Sequence, residues 1–252
     1  MRLLLTLRSN KGVDQRQAFE KYFTAMHGFA YNKLSSSNSF KRLHETDGFK
    51  GFCFGNLFPV KNNRLIENKE YSVVITSPLP KIIETLFFQI KEEEMLNVGE
   101  FSFTVMRVQL QRFKIKPSDV LETMTLINVT KHDNGKIRAL KFKDKGYLEH
   151  LRKNLVHKYN QFNEVKVLDN FDLFKNIEIK LRKGRNELSI PIFFYNKEKN
   201  KRFNIIGNKL VFHINDVSEE QLKVLQFCFD AGFGERNSYG MGFMVVRNRK
   251  ND

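Results

Sequence analysis

The first apolar run, Leu3-Leu4-Leu5-Thr6-Leu7, stops at the polar turn Asn10-Lys11-Gly12 and predicts a strand over Arg2–Ser9. Phe19, Phe23, Met26, Ala30 and Leu34 then recur every three or four residues, the helical period, and Asp14 stands where it can cap that helix. The run Ser35-Ser36-Ser37-Asn38-Ser39 breaks it and can cap a short helix over 41–45. Strand-like stretches at 49–60 and 70–77 are joined by the polar turn Lys61-Asn62-Asn63. Pro78 and Pro80 introduce a second helix over 81–95, and an extended run over 100–116 ends at Pro117. The order β-α-β-β-α-β is that of a ferredoxin-like unit.

The second half repeats the order more loosely. A strand is expected over 124–131, followed by the turn Asp133-Asn134-Gly135. A helix over 147–159 sets Leu148, Leu151 and Leu155 on one face. Strands follow over 177–182, 187–195 and 201–214. Ser218 caps a helix with Glu219 and Glu220 in its first turn, where carboxylates suit the helix dipole, and Leu222, Leu225 and Phe229 face inward. A glycine-rich loop and a strand over 242–247 close the chain. The expected fold is α+β: two tandem ferredoxin-like domains of the type also seen in RNA-recognition motifs. The boundary lies near 117–123, giving domains 1–119 and 120–252.

Composition narrows the function. Hydrophobic residues at 41% and charged residues at 28% suit a globular chain. Forty-three Lys and Arg against 28 Asp and Glu leave a net charge of +15, which favours a polyanionic partner, nucleic acid before an acidic membrane surface. Most of the 25 Phe must fill cores. Cys53 and Cys228 alone cannot make a four-thiolate metal site or a disulfide framework, so a reducing cytoplasm is expected. The apolar run at the N-terminus is too short for a signal-peptide core, and no stretch nears the roughly 20 apolar residues of a membrane span.

The sharpest local signal is Gly232-Phe233-Gly234-Glu235-Arg236-Asn237-Ser238-Tyr239-Gly240-Met241-Gly242. Glycines allow positive φ and close backbone approach, so successive amides here could cradle an anion, with Arg236 adding charge. A glycine-lubricated turn between a tightly packed helix and strand is the structural alternative. The loop follows a helix and precedes a strand, which excludes a dinucleotide fingerprint, and it lacks the Gly-Lys-Ser/Thr of a P-loop.

A Gly-x-Gly-x5-Gly-x-Gly loop near the end of a tandem ferredoxin-like chain resembles the repeat-associated RNA-binding superfamily of CRISPR systems. Ala30-Tyr31-Asn32-Lys33-Leu34, Leu43-His44-Glu45-Thr46-Asp47-Gly48-Phe49 and Phe52-Cys53-Phe54-Gly55-Asn56-Leu57-Phe58 are similar to the CRISPR repeat-processing endoribonucleases. Gly55 departs from the small polar residue expected there. The resemblance implies cleavage of the repeat in precursor CRISPR RNA without metal or other cofactor: the 2′-hydroxyl attacks the adjacent phosphate, leaving a 2′,3′-cyclic phosphate and a 5′-hydroxyl. Such chemistry needs a base, an acid and a cation near the phosphorane. The resemblance places His44 as principal acid/base, Lys50 as electrostatic stabiliser and Tyr31 as orienting group or base. His27, four residues before Tyr31 on the same helical face, could substitute or assist. Lys41, Arg42, Gly232, Gly234, Arg236, Gly240 and Gly242 are the candidate RNA-binding residues.

His132, His150, His157 and His213 show no metal-ligand spacing. Basic runs at 136–145, 182–185, 197–202 and 247–250 suggest a broad RNA track, with Lys141, Lys143 and Lys145 alternating along an extended segment. Two other functions compete: a non-catalytic repeat-RNA-binding subunit of an effector complex, and a generic basic RNA-binding protein. The resemblance leaves open association with other CRISPR effector-complex subunits and a homodimer.

Overall fold

The computed structural model describes residues 1–14, 16–41, 48–91, 93–133, 135–184, 187–195 and 200–247. They divide into two compact units. The first comprises Met1–Arg112 with Ile190–Asn204 and Ser238–Gly240; the second comprises Phe113–Ser189, Ile205–Asn237 and the stretch from Met241 on.

In the first unit the elements run β1 (Arg2–Ser9), α1 (Arg16–Ser35), β2 (Cys53–Phe54), β3 (Glu70–Thr76), α2 (Pro80–Lys91), β4 (Met95–Val98) and β5 (Phe101–Gln111). They form an antiparallel sheet of order β2-β3-β1-β5-β4. Leu3, Leu5 and Leu7 of the central strand pair with Ile75, Val73 and Tyr71. Strand alternation puts all six on one face, where they are buried. Tyr22, Met26, Ala30 and Leu34 of α1, and Ile82, Ile83, Leu86 and Ile90 of α2, are the buried helical positions.

Three expectations change here. The strand over 49–60 shrinks to Cys53–Phe54 plus a single bridge from Phe58 to Ser72, because Gly51, at φ +81°, turns the chain before the ladder starts. The helix over 81–95 ends at Lys91, and Met95-Leu96-Asn97-Val98, alternately exposed and buried, forms an edge strand instead. The extended run over 100–116 is a ladder strand only to Gln111. Of the short helix expected over 41–45, residues 42–45 lie outside the described residues.

The second unit contains β6 (Val120–Thr123), β7 (Thr130–Asp133), β8 (Lys136–Ala139), α3 (Tyr147–Phe162) and β9 (Ile177–Leu181). The ribbon of β10 (Glu187–Tyr195) and β11 (Asn200–Asn208) follows, its 190–204 portion grouping with the first unit. Then come β12 (Leu210–Ile214), α4 (Glu219–Ala231) and β13 (Met244–Val246). The main sheet has order β13-β6-β12-β9, again antiparallel. Numbering the four shared strands of each sheet by sequence, both read 4-1-3-2, so the chain carries two tandem ferredoxin-like folds.

The expected strand over 124–131 lies too far along. The ladder strand is Val120–Thr123, while Ile127 and Asn128 make isolated bridges to Asn208 and Glu235. The run over 201–214 is two strands, β11 and β12. Lys141, Lys143 and Lys145 do not alternate on an extended segment: the chain turns there, with the Asp144 amide donating to Lys141 O (2.8 Å) and the Tyr147 amide to Asp144 O (3.1 Å). Leu151 and Leu155 enter the core with Phe212, Leu225, Phe229 and Phe233, but Leu148, in the first turn of α3, stays 39% exposed. Ser218 caps α4 as expected. Its hydroxyl accepts from the Gln221 amide (3.1 Å), while its own amide donates to the Gln221 side chain (2.9 Å), a capping box.

Candidate active site

The helical period of α1 carries two chemistry-bearing side chains to one place in the first unit. His27 and Tyr31 lie one turn apart, their rings 4.6 Å between centroids at 65°. The His27 ring lies flat on Tyr239, at 3.8 Å and 7°, and its Nδ1 is 2.8 Å from the Ser238 carbonyl oxygen. A carbonyl only accepts, so Nδ1 carries the hydrogen and the neutral ring keeps its lone pair on Nε2. Tyr31 is buried edge-on to Phe52 at 5.5 Å. Burial drives its phenol well above the usual tyrosine range, the Ser238 side chain opposing and Tyr239 adding to the shift. That keeps the phenol protonated and works against a role as base. Gly240, at φ +76°, follows directly, and a Cβ there would come within 2.6 Å of Phe54 and 2.9 Å of Phe23.

Of the other predicted catalytic residues, Lys50 is half-buried in the loop before β2, and His44 lies outside the described residues. So does Arg42, while Lys41 is exposed. The structure thus joins Tyr31 to His27, Ser238 and Tyr239. The last two were missed by the sequence reading because only the backbone path of the glycine-rich loop brings them to α1.

The remainder of that loop belongs to the second unit. Lys158 of α3, 3% exposed, directs its amine at Gly232 O (2.9 Å), Gly234 O and Asn237 Oδ1 (2.6 Å). Three acceptors call for three N–H donors, which an ammonium has. Asn237 continues the network by donating to Met241 O at 2.8 Å. Many amides that could have cradled an anion are engaged within the protein: Phe233 to Gly242 O, Glu235 to Asn128 O, Gly242 to Leu126 O, and Phe243 to the Thr125 hydroxyl. A Cβ at Gly242, φ +73°, would fall 1.8 Å from Phe233 O, and one at Gly234, φ +72°, 2.4 Å from Asn128 O. These glycines therefore serve close packing, and the loop's exposed cation is Arg236.

The open face of the second sheet holds a further cluster that the sequence reading left as scattered basic runs. A groove of about 320 Å³ is lined by Lys180, Arg182, Lys183, His213 and Arg247 around Glu122. The Glu122 side chain, 10% exposed, pairs with Arg182 and with Arg247 at 3.6 Å. Burial, then the charge of Arg182, holds Lys209 below the usual lysine range. The signal was period-two spacing of Lys180 with Arg182, visible only once β9 is placed. Among the described residues no group of three His, Cys, Asp or Glu could hold a metal ion, and no helix is long and apolar enough to cross a membrane.

The family model for the C-terminal region of CRISPR associated protein Cas6 matches residues 110–246, more than half of the chain. The chain belongs to the Cas6 family. It is 30% identical over 225 residues to "CRISPR-associated endoribonuclease Cas6 2" of Methanocaldococcus jannaschii, covering 86% of this chain and 88% of that one. It is 27% identical over 234 residues to "CRISPR-associated endoribonuclease Cas6 1" of the same organism, covering 88% and 84%. A solved structure described as "CRISPR associated protein Cas6" shares the fold, with a TM-score of 0.72, 24% identity and coverage of 98% and 99%. The Cas6 family match begins at the end of β5 and takes in both the lysine-anchored loop and the cationic sheet face. The chain is accordingly an endoribonuclease.

Proposed function

We propose that this Cas6-family chain cuts the repeats of precursor CRISPR RNA by metal-independent transesterification. A base takes the proton of the ribose 2′-hydroxyl; the 2′-oxygen bonds to the adjacent phosphorus. The bond from phosphorus to the 5′-oxygen breaks, and an acid protonates the leaving oxygen. The fragments end in a 2′,3′-cyclic phosphate and a 5′-hydroxyl. His44 is the principal acid/base, Lys50 offsets charge on the phosphorane, and Tyr31 orients as a hydrogen-bond donor, the role its raised phenol pKa supports. His27 is a second imidazole, its Nδ1 held by the Ser238 carbonyl oxygen. Lys41, Arg42, Arg236 and the cationic groove of the second sheet bind RNA phosphates, with Gly232, Gly234, Gly240 and Gly242 shaping the loop that presents Arg236.

The observation that carries this reading is the likeness, over 86% of the chain, to a relative named as a CRISPR-associated endoribonuclease. The test is cleavage of a cognate repeat RNA in EDTA by His44→Ala and by His27→Ala. Loss of an acid/base group costs about 100-fold or more in rate. That loss is expected for His44→Ala with RNA binding retained, and a smaller one for His27→Ala. Undiminished cleavage by His44→Ala removes His44 from the mechanism; the large loss appearing at His27→Ala instead transfers the role to His27.

A further inference from the structure

The open face of the second sheet buries a carboxylate among the cations of its groove. Strand register puts Val245, Glu122, Val211 and Lys180 side by side across β13, β6, β12 and β9, so their side chains share one face. The next row, Val246, Leu121, Phe212 and Ile179, points the other way, into the core of the second unit. Arg182 and Arg247 stand two residues beyond Lys180 and Val245 and so belong to the Glu122 face. They converge on Glu122 from opposite sides of the central strand. Arg182 pairs through Nε with Oε1 and donates from Nη1 to Thr123 O at 3.3 Å. Arg247 brings its Nε to 3.6 Å from Oε2. The carboxylate lies beneath, 10% exposed, while the two arginine side chains are 36% and 62% exposed. Glu178, on the same face, is by contrast an exposed pair with Lys180 at 2.6 Å.

Neither stability nor charge accounts for a carboxylate in that place. A buried ion pair seldom stabilises a fold more than apolar side chains of the same shape would. A negative charge in the groove also subtracts from its attraction for phosphate. What the carboxylate supplies is order. Arginine has many rotamers, and fixing one before the ligand arrives removes that entropy cost from binding. A guanidinium has five N–H donors in a planar fork, more than one carboxylate oxygen engages, so an arginine held through Nε is oriented without being used up. Resting on the reading that this groove binds RNA phosphates, we propose that Glu122 is a positioning residue: it sets Arg182 and Arg247 as a preformed pair of guanidiniums that clamps the RNA backbone. Two arginines against one carboxylate keep a surplus of one positive charge at the clamp.

Charge alone and positioning predict opposite signs for Glu122→Gln. Removing a negative charge from a cationic groove should tighten RNA binding; releasing two arginines should weaken it. The test follows binding of a repeat RNA with a 2′-deoxyribose at the cut position across salt concentrations, and steady-state cleavage of the unmodified repeat, with the full chain. Glu122→Gln is expected to bind about tenfold more weakly. Its salt dependence should flatten by about 0.7 in log–log slope, the share of one phosphate contact on a single strand. KM should rise with kcat unchanged. Arg182→Gln and Arg247→Gln should each weaken binding and flatten the slope in the same way. Arginine variants that weaken binding beside a Glu122→Gln that tightens it or leaves it alone would overturn the positioning role and spare the groove. Arginine variants without effect would overturn the groove's phosphate role and the proposal with it. A fall in kcat at constant KM for Glu122→Gln, the mark of a smaller folded fraction, also overturns the proposal. Where Glu122→Gln fails to fold, Glu122→Asp decides. It keeps the charge but withdraws it by one methylene from an Arg247 already 3.6 Å away, so weaker binding is expected and wild-type binding would contradict the proposal.

Discussion

The glycine-rich loop is fastened at two places by two different cations or near-cations, and the contrast separates architecture from chemistry. Residues 232–237 hang on Lys158, a fully enclosed amine whose three donors are taken by two carbonyls and an amide. Residues 238 and 239 rest on His27, half-buried, which gives one hydrogen bond and one ring stack. A lysine so enclosed cannot exchange protons with a substrate, and around it sit groups equally withdrawn: burial pushes the neighbouring Cys228 thiol up to about 12, Lys158 opposing only in part. An imidazole at a rim, next to a tyrosine, is a group of the type that exchanges protons near neutral pH. The first anchor reads as scaffold; under the proposed function the second belongs to the site.

Removing the anchors one at a time should show this difference. Lys158→Met is expected to have the largest effect on stability. It leaves Gly232 O, Gly234 O and Asn237 Oδ1 buried without their donor, a loss of about 3 kcal/mol or more. Chemical denaturation measures it, and a variant as stable as the wild type would mean the loop is held by its backbone bonds alone. His27→Phe preserves a ring for Tyr239 but deletes the Nδ1 donor, so a loss of only about 1 kcal/mol is expected in the same experiment. Its cleavage rate should fall by more than that stability change explains. Equal, small effects on stability and rate would reduce His27 to a packing residue and erase the contrast.

Much of the fold could be read from period alone where one face is buried and the other wet. β1 is a Leu-rich run ended by a polar turn, and α1 repeats its apolar positions at helical spacing, so both were placed. The Ser218 cap was legible because a hydroxyl followed at once by two carboxylates and a helical run is a local motif. The misread places are those where tertiary pairing decides. The helix expected over 81–95 ran past Lys91 to Met95, which instead opens a strand paired with β5. Residues 124–131 are as strand-like as 120–123, yet only the latter lies between β12 and β13.

The candidate site divides in the same way. Tyr31 and His27 could be found one turn apart on a helix. Tyr239 and Ser238, more than 200 residues later, could not be joined to them by any local rule. Likewise, the glycines were visible as a cluster, but not that many of their neighbours' amides turn inward: the missing side chain at Gly242 makes room for Phe233 O. The cationic groove needed β9, β12, β6 and β13 joined in one sheet before Lys180, Arg182, His213 and Arg247 became one surface.

The account turns on a ribose hydroxyl, and not a water molecule, attacking the repeat phosphate. Mass measurement of the 5′ fragment, from a cognate repeat RNA cut by the wild-type chain in EDTA, tests that most directly. The expected product carries a 2′,3′-cyclic phosphate, and a repeat with a 2′-deoxyribose at the cut position stays intact. A 5′ fragment ending in a 3′-hydroxyl, or cutting of the deoxy-substituted repeat at the same place, would contradict it.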